Sequence, residues 1–205
     1  MEVIFLSYPF KSDKEISPSS MAIGFFDGIH LGHQQVIGQA VHFAKKLNIQ
    51  SSVMTFDPHP MQVLGKKSPQ IITPLDEKIN ILEDIGIDIV YVVSFTKIFS
   101  KLSPEDFLEK FLISLKPQHI TVGFDFTFGS FGKGKAEDLK RMANHRFGVS
   151  IVPPIQNGTG IKISSTLIRD NIKMGNIAAV NNDLGRHYKE PLSLSSRSAS
   201  FNMLI

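Results

Sequence analysis

A doubly wound α/β domain, with about five parallel strands and helices on both faces, is the fold this sequence predicts. Two observations carry that expectation. Short β-branched runs alternate with amphipathic stretches along most of the chain, the rhythm of successive β-α-β units. The 205 residues include 42% hydrophobic side chains, enough for one large buried core and too many for global disorder.

The elements follow in order. A first strand is expected at 20–24. Residues 31–47 read as a helix, with Val36, Ala40, Ala44 and Leu47 at helical spacing and Asn48 at its end. Residues 51–56 form a second strand, broken by Asp57-Pro58-His59-Pro60, where two prolines forbid regular pairing. Thr73-Pro74 sets a capping hydroxyl before a proline at the first helical position. That helix turns Leu75, Ile79 and Leu82 inward and stops at Gly86. A third strand is expected at 89–93. Ser103-Pro104 repeats the device and opens a helix with Phe107, Phe111 and Leu115 on one side. A fourth strand at 120–123, a helix over 136–147 ended by Gly148, and a fifth strand at 149–152 come next. Ser164 or Ser165 caps a final helix running to about Met174.

In such sheets ligands bind beyond the carboxyl ends of the strands. Residues 25–33, 57–60, 124–135 and the stretch leading to Ser164 all follow strands, so they should converge on one rim. Beyond Tyr188 the chain turns serine-rich and loses its period, and 189–205 read as a mobile tail.

Lys+Arg 22 against Asp+Glu 19 gives +3, an imbalance too small to argue for nucleic acid. No apolar run reaches ~18 residues and no signal-peptide blocks open the chain, so no membrane span and a cytoplasmic location are expected. The absence of cysteine removes disulfides, thiolate zinc sites and cysteine nucleophiles. Sixteen Phe stand against no Trp. Several cluster near glycine, a setting for a flat apolar ligand, although core filling accounts for most phenylalanines.

The strongest chemical signal is Gly24-Phe25-Phe26-Asp27-Gly28-Ile29-His30-Leu31-Gly32-His33, where the first strand gives way to the first helix. Gly24 and Gly28 allow a tight turn and close backbone approach, and Gly32 leaves room beside the helix start. A helix N-terminus offers N–H donors and a positive dipole end to phosphate. His30 and His33, three apart in the first turn, can both face the same anion and stabilise charge that grows during phosphoryl or nucleotidyl transfer. A zinc site is the alternative for His-x-x-His, with no third ligand suggested by the spacing. The P-loop signature and G-x-G-x-x-G are absent from this turn.

Three more segments carry weaker signals. In Thr55-Phe56-Asp57-Pro58-His59-Pro60 the prolines stiffen a strand exit while Phe56 and His59 offer a ring face and a polar tip; an ordinary turn would look the same. In Gly123-Phe124-Asp125-Phe126-Thr127-Phe128-Gly129 the three rings alternate with Asp125 and Thr127, so one side can be apolar, as it would also be in a plain buried strand end. In Ile163-Ser164-Ser165-Thr166-Leu167-Ile168-Arg169, hydroxyls at a helix start and an arginine one turn later can grip a polyphosphate. Capping explains one serine but not Arg169. Lys133 and Lys135 add positive charge nearby or are simply solvated.

The four segments together resemble the H-x-G-H nucleotidyltransferase superfamily and, more narrowly, the FMN adenylyltransferase module of the bacterial bifunctional riboflavin kinase/FAD synthetases. The resemblance covers about residues 1–188 and implies a Rossmann-like nucleotidyltransferase fold. It implies transfer of AMP from ATP to FMN, giving FAD and pyrophosphate, with Mg²⁺ held mainly by the ATP phosphates. It assigns catalysis to His30, His33, Ser165 and Arg169. The ATP site would add Gly24, Phe25, Phe26, Asp27, Gly28, Gly32, Gly123, Asp125, Ser164 and Thr166. The flavin would meet Phe56, Asp57, Pro58, His59, Pro60, Phe124, Phe126 and Phe128. Residues 184–188 resemble the junction into the kinase module and then the likeness stops, so a separate riboflavin kinase is expected to supply FMN. Two other readings stay open: an H-x-G-H transferase with a different phosphorylated acceptor, and a flavin- or nucleotide-binding protein without turnover.

Overall fold

The computed structural model describes residues 1–10, 15–65 and 67–190. Along the chain run β1 (Glu2–Leu6), β2 (Ser19–Ile23), α1 (Leu31–Leu47), β3 (Gln50–Asp57), α2 (Pro60–Val63), α3 (Leu75–Ile85), β4 (Ile89–Ser94) and α4 (Pro104–Lys110). They are followed by β5 (Pro117–Gly123), β6 (Thr127–Phe128), β7 (Gly134–Lys135), α5 (Ala136–Ala143), β8 (Gly148–Val152), α6 (Ser165–Lys173) and α7 (Ile177–Leu184).

Six strands form one parallel sheet in the order β1-β4-β3-β2-β5-β8, and β6 pairs with β7 in a small antiparallel hairpin. The order reverses at β2. The chain walks outward through β3 and β4, then returns to lay β5 on the other side of β2. That reversal opens a crevice beyond the ends of β2 and β5, where a doubly wound sheet places its ligand.

Both faces of the sheet are covered, which follows from the strand period of two. In β4, Ile89, Tyr91 and Val93 join a core with Phe107, Leu108 and Leu139 of α4 and α5. Val90 and Val92 point the other way, into a core with Val36, Ile37 and Ala40 of α1 and Leu82 of α3. A third, smaller cluster packs Ile168 of α6 against Val180 and Leu184 of α7.

Several expectations are corrected. The sheet has six strands rather than about five, because β1 adds an edge beside β4. Its outer residues are largely exposed, so it lacks the uniform apolar run that marks a central strand. Leu47 is 46% exposed, and Ile37 takes its place in the core stripe of α1. Thr73 does not cap α3; Pro74 occupies the cap position without a side-chain hydrogen bond. The helix opened by Ser103 ends at Lys110; Phe111 is the cap residue between it and a tighter 3-10 segment, Leu112–Leu115. α5 stops at Ala143, where Asn144 and His145 take left-handed φ values of 44° and 63°. α6 is not the last helix: Gly175 breaks the chain and α7 follows. The expected tail lies outside the described residues from 191 onward. No helix among the described residues is long and apolar enough to cross a membrane.

Candidate active site

The turn between β2 and α1 is built by backbone conformations that most residues avoid. Phe26 and Ile29 take positive φ values of 53° and 38°, and Gly28 takes 88°. Such strain persists only where surrounding contacts over-determine it. Asp27 supplies those contacts. Its carboxylate, 2% exposed, accepts from the Ile72 and Thr73 N–H groups at 3.0 and 3.1 Å and from Arg169 Nη2 at 2.6 Å.

His30 is the N-cap of α1. Its Nδ1 accepts from the His33 N–H at 3.2 Å, so its proton sits on Nε2 in the neutral ring. Gly32 makes this possible: a Cβ there would lie 3.1 Å from His30 Cε1. The His30 and His33 rings stack at 3.6 Å between centroids, 18° from parallel, and Phe26 meets His33 edge-on at 5.3 Å. His33 Nδ1 is buried and carries no hydrogen bond. Burial, opposed in part by Asp125, lowers the His30 pKa to about 4. Burial and the neighbouring His30 push His33 well below the ordinary value. At neutral pH both rings are therefore neutral donors and acceptors, ready to gain a proton's worth of attraction when an anion arrives.

The two histidines line a cavity of about 170 Å³ with Gly123, Phe124 and Asp125 from the end of β5. Val152–Ile155 beyond β8 and Lys162–Ser165 close the opposite side. Ser164 caps α6 by accepting from the Leu167 N–H at 3.2 Å. The Ser165 hydroxyl donates to the Asp27 carbonyl at 2.8 Å. The N-terminal turns of α1 and α6 thus flank one cavity, two sets of N–H donors with their dipoles' positive ends.

The FAD synthetase family model matches residues 12–167. The chain belongs to the FAD synthetase family. It is 44% identical to a bifunctional riboflavin kinase/FMN adenylyltransferase of Listeria monocytogenes over 92% of this chain and 60% of that protein. It is 32% identical to a protein named FAD synthetase from the same organism, over 84% of this chain and 71% of that one. A solved structure titled macrolide-efflux protein, from Streptococcus pneumoniae, aligns with a TM-score of 0.77 at 34% identity, covering 89% of this chain and 60% of its own. The chain therefore spans about 60% of the length of the bifunctional relative.

Within this FAD synthetase fold, the residues singled out from sequence separate into groups. His30, Gly32, His33, Gly123, Phe124, Asp125, Ser164 and Ser165 line the cavity. Arg169 is placed against Asp27, with its Nε donating to the Gln70 carbonyl at 2.8 Å. Phe25 sits beside His59, the rings edge-on at 4.3 Å. His59 caps α2, and Pro60 begins it. The rings chosen for flavin follow a gradient: Phe124 is 42% exposed, Phe126 half-buried, and Phe128 only 6% exposed. Phe128 packs 5.6 Å from Phe107, and Phe56 lies 5.9 Å from Phe95, so both belong to the aromatic cluster under the sheet.

Three basic residues escaped the sequence reading. Lys78 is 3% exposed, and its Nζ donates to the Phe25 carbonyl at 2.7 Å and to Thr55 Oγ1 at 3.3 Å, 4.2 Å from the Phe25 ring centre. Burial, opposed by Asp27 and Asp57, lowers its pKa to about 8. A signal existed: Lys78 falls on the inward stripe of α3, between Leu75 and Leu82. Arg186 braces the turn by donating to Thr73 Oγ1 at 3.2 Å and to the Ile29 carbonyl at 3.4 Å. Lys162 lines the cavity itself.

Proposed function

We propose that this chain transfers the AMP moiety of ATP to the phosphate of FMN, releasing pyrophosphate. The observation that carries the reading is the paired histidine stack at the start of α1, facing the start of α6 across one cavity. An FMN phosphate oxygen attacks the α-phosphorus of ATP. One P–O bond forms, the bond to the bridging oxygen breaks, and pyrophosphate leaves with that oxygen. The attacking oxygen is already anionic, so the site needs no side-chain nucleophile and no strong base. The task is alignment of two phosphates and stabilisation of the charge that shifts onto the leaving group.

His30 and His33 suit that task. His30 offers Nε2–H as a donor, and both rings gain affinity for a proton as negative charge approaches. Ser164 and Ser165 hold the start of α6 in place, one by capping the helix and the other by tying it to the Asp27 carbonyl. Arg169 acts by fixing Asp27 and the 24–28 turn. The cavity is smaller than the roughly 300–1,000 Å³ of a drug-sized cleft, so it is read as the phosphate subsite, with adenine and flavin on the surfaces either side.

The donor set suits magnesium brought in by the nucleotide. Asp125 is the one carboxylate lining the cavity, and Mg²⁺ is commonly held by one or two carboxylates together with substrate phosphates. Asp125 would be the residue to hold it, and the ion would neutralise charge on the phosphates. The flavin reading is supported by Phe124, the exposed ring at the cavity edge.

The test is chromatography of purified protein with ATP, Mg²⁺ and FMN. FAD and pyrophosphate should appear in equal amounts. A folded protein that yields no FAD above a protein-free control would overturn the reading.

A further inference from the structure

Lys78 ties together two segments where the sheet stops holding them. The ladder between β2 and β3 ends with the Gly24 N–H donating to the Met54 carbonyl at 3.1 Å. One residue further on, side chains make the links. The Thr55 hydroxyl donates to the Phe25 carbonyl at 3.0 Å. Lys78 Nζ, arriving from α3, donates to the same carbonyl at 2.7 Å and to Thr55 Oγ1 at 3.3 Å. We propose that Lys78 is a positioning residue for the transfer reaction, fixing the Phe25–Phe26 peptide and with it the wall that Phe25 and His59 present to FMN. The inference rests on the FMN reading given above.

Packing alone does not call for a lysine here. Leu82, one turn along the same buried stripe of α3, shows what filling the core requires. The ammonium is 3% exposed, and its hydrogen bonds go to two neutral oxygens, while Asp27 and Asp57 act on it through space. A buried cation without a paired carboxylate is unfavourable. What it supplies in return is geometry. It holds one peptide by the carbonyl and one ring by the face, with Nζ 4.2 Å from the centre of the Phe25 ring.

The peptide so held joins two residues that point to different parts of the site. The Phe25 ring meets His59 edge-on at 4.3 Å, beyond the end of β3. Phe26, with a φ of 53°, meets His33 edge-on at 5.3 Å. The phosphate cavity lies on the other side of His33, between the ends of β5 and β8 and the start of α6. A peptide freed to rotate would first lose the contact of Phe25 with His59, on the side away from that cavity. The ionisable groups facing Lys78 are Asp27 from the β2–α1 turn, Asp57 at the end of β3, His33 in α1 and His59 at the start of α2. Both histidines are lowered below their ordinary pKa, chiefly by burial, so Lys78 carries the charge that changes in alkali, where burial has brought its own pKa to about 8.

Steady-state FAD formation and histidine NMR on the full chain test the assignment. Lys78→Met fills similar space without a donor or a charge. It should raise the FMN KM about tenfold or more and leave the ATP KM within about twofold, a split that a smaller folded fraction cannot produce. The His59 Hε1 resonance, which feels the current of the Phe25 ring, should shift toward that of a free imidazole. Thr55→Val removes the other donor to the Phe25 carbonyl and should raise the FMN KM in the same selective way. Should Lys78→Met fail to fold, the wild type carries the test. Raising pH from about 7 to about 9 discharges Lys78, weakening its charge-assisted bonds, and should raise the FMN KM severalfold while the ATP KM stays level. An unchanged FMN KM, equal rises in both KM values, or a His59 resonance that does not move would overturn the proposal. A wild-type chain that makes no FAD would instead overturn the FMN reading beneath it, and the His59 shift would still decide whether Lys78 holds Phe25.

Discussion

Acid should destabilise this protein through its histidine stack, and the size of the effect can be worked from the structure. His30 has its pKa lowered from 6.5 to about 4 by burial. In the unfolded chain the same imidazole titrates near its ordinary value. As pH falls through 6.5 the unfolded state takes up a proton that the folded state refuses, so stability falls with pH, and the loss is complete below about pH 4. Between about pH 7 and pH 5, linkage gives a loss of ~2 kcal/mol from His30 alone. His33 is lowered further, again chiefly by burial, and adds a loss of the same sign.

The perturbation that isolates this contribution is His30→Asn. Asparagine is a preferred N-cap, so it can keep an acceptor for the His33 N–H while removing the titration. Urea unfolding of wild type and variant at the two pH values is the assay. The drop in stability from neutral to acid pH should be ~2 kcal/mol smaller in His30→Asn. An equal drop in both proteins would refute the reasoning, since it would mean His30 titrates alike in folded and unfolded chains. Saturating ATP should also blunt the wild-type drop, because phosphate beside the rings favours their protonated form.

Arg169→Ala should cost about 3 kcal/mol of stability by leaving the Asp27 carboxylate buried without its cation, measured by urea unfolding; Asp27→Asn in the same chain should recover part of it. Gly32→Ala places a methyl 3.1 Å from His30 Cε1 and should lower kcat about tenfold or more through the displaced ring, with stability little changed. Wild-type stability should rise as pH climbs from about 8 toward 10.5, because the unfolded chain keeps a proton that Lys78 has shed. Lys78→Met should abolish that rise, and a variant that retains it would show the lysine is not its source.

How much of this was legible in the sequence depends on the range of the interaction. The turn from Gly24 to His33 and the limits of α1 follow from local pattern, and the structure gives the same helix, Leu31–Leu47. The convergence of His30, Asp125 and Ser164 followed from the rule that ligands sit beyond strand ends. What was not legible is pairing across the fold. Arg169 and Asp27 are 142 positions apart, and no spacing rule links them. Thr73 has the local signature of a helix cap, yet its hydroxyl accepts from Arg186, 113 positions away. The alternation of Phe124, Phe126 and Phe128 was visible, but which ring meets the core depends on where Phe107 packs. α7 escaped because Asn181 and Asn182 are weak helix formers and the helix is held by tertiary contacts such as Gln34 Nε2 to the Leu184 carbonyl at 2.8 Å.

Exposure separates the basic residues around this site into firmly and loosely held ones. Arg169 commits its Nε to the Gln70 carbonyl and its Nη2 to Asp27, a carboxylate 2% exposed; breaking such a buried pair costs on the order of 3–5 kcal/mol. Lys78 could move only by abandoning the Phe25 carbonyl and Thr55 in the protein interior. Lys162 pairs with Asp125, whose side chain is 63% exposed, and such a surface pair contributes at most about 1 kcal/mol. The buried pairs therefore hold the strained 24–28 turn, and with it the approach to His30 and His33, far more firmly than the exposed pair holds its own loop.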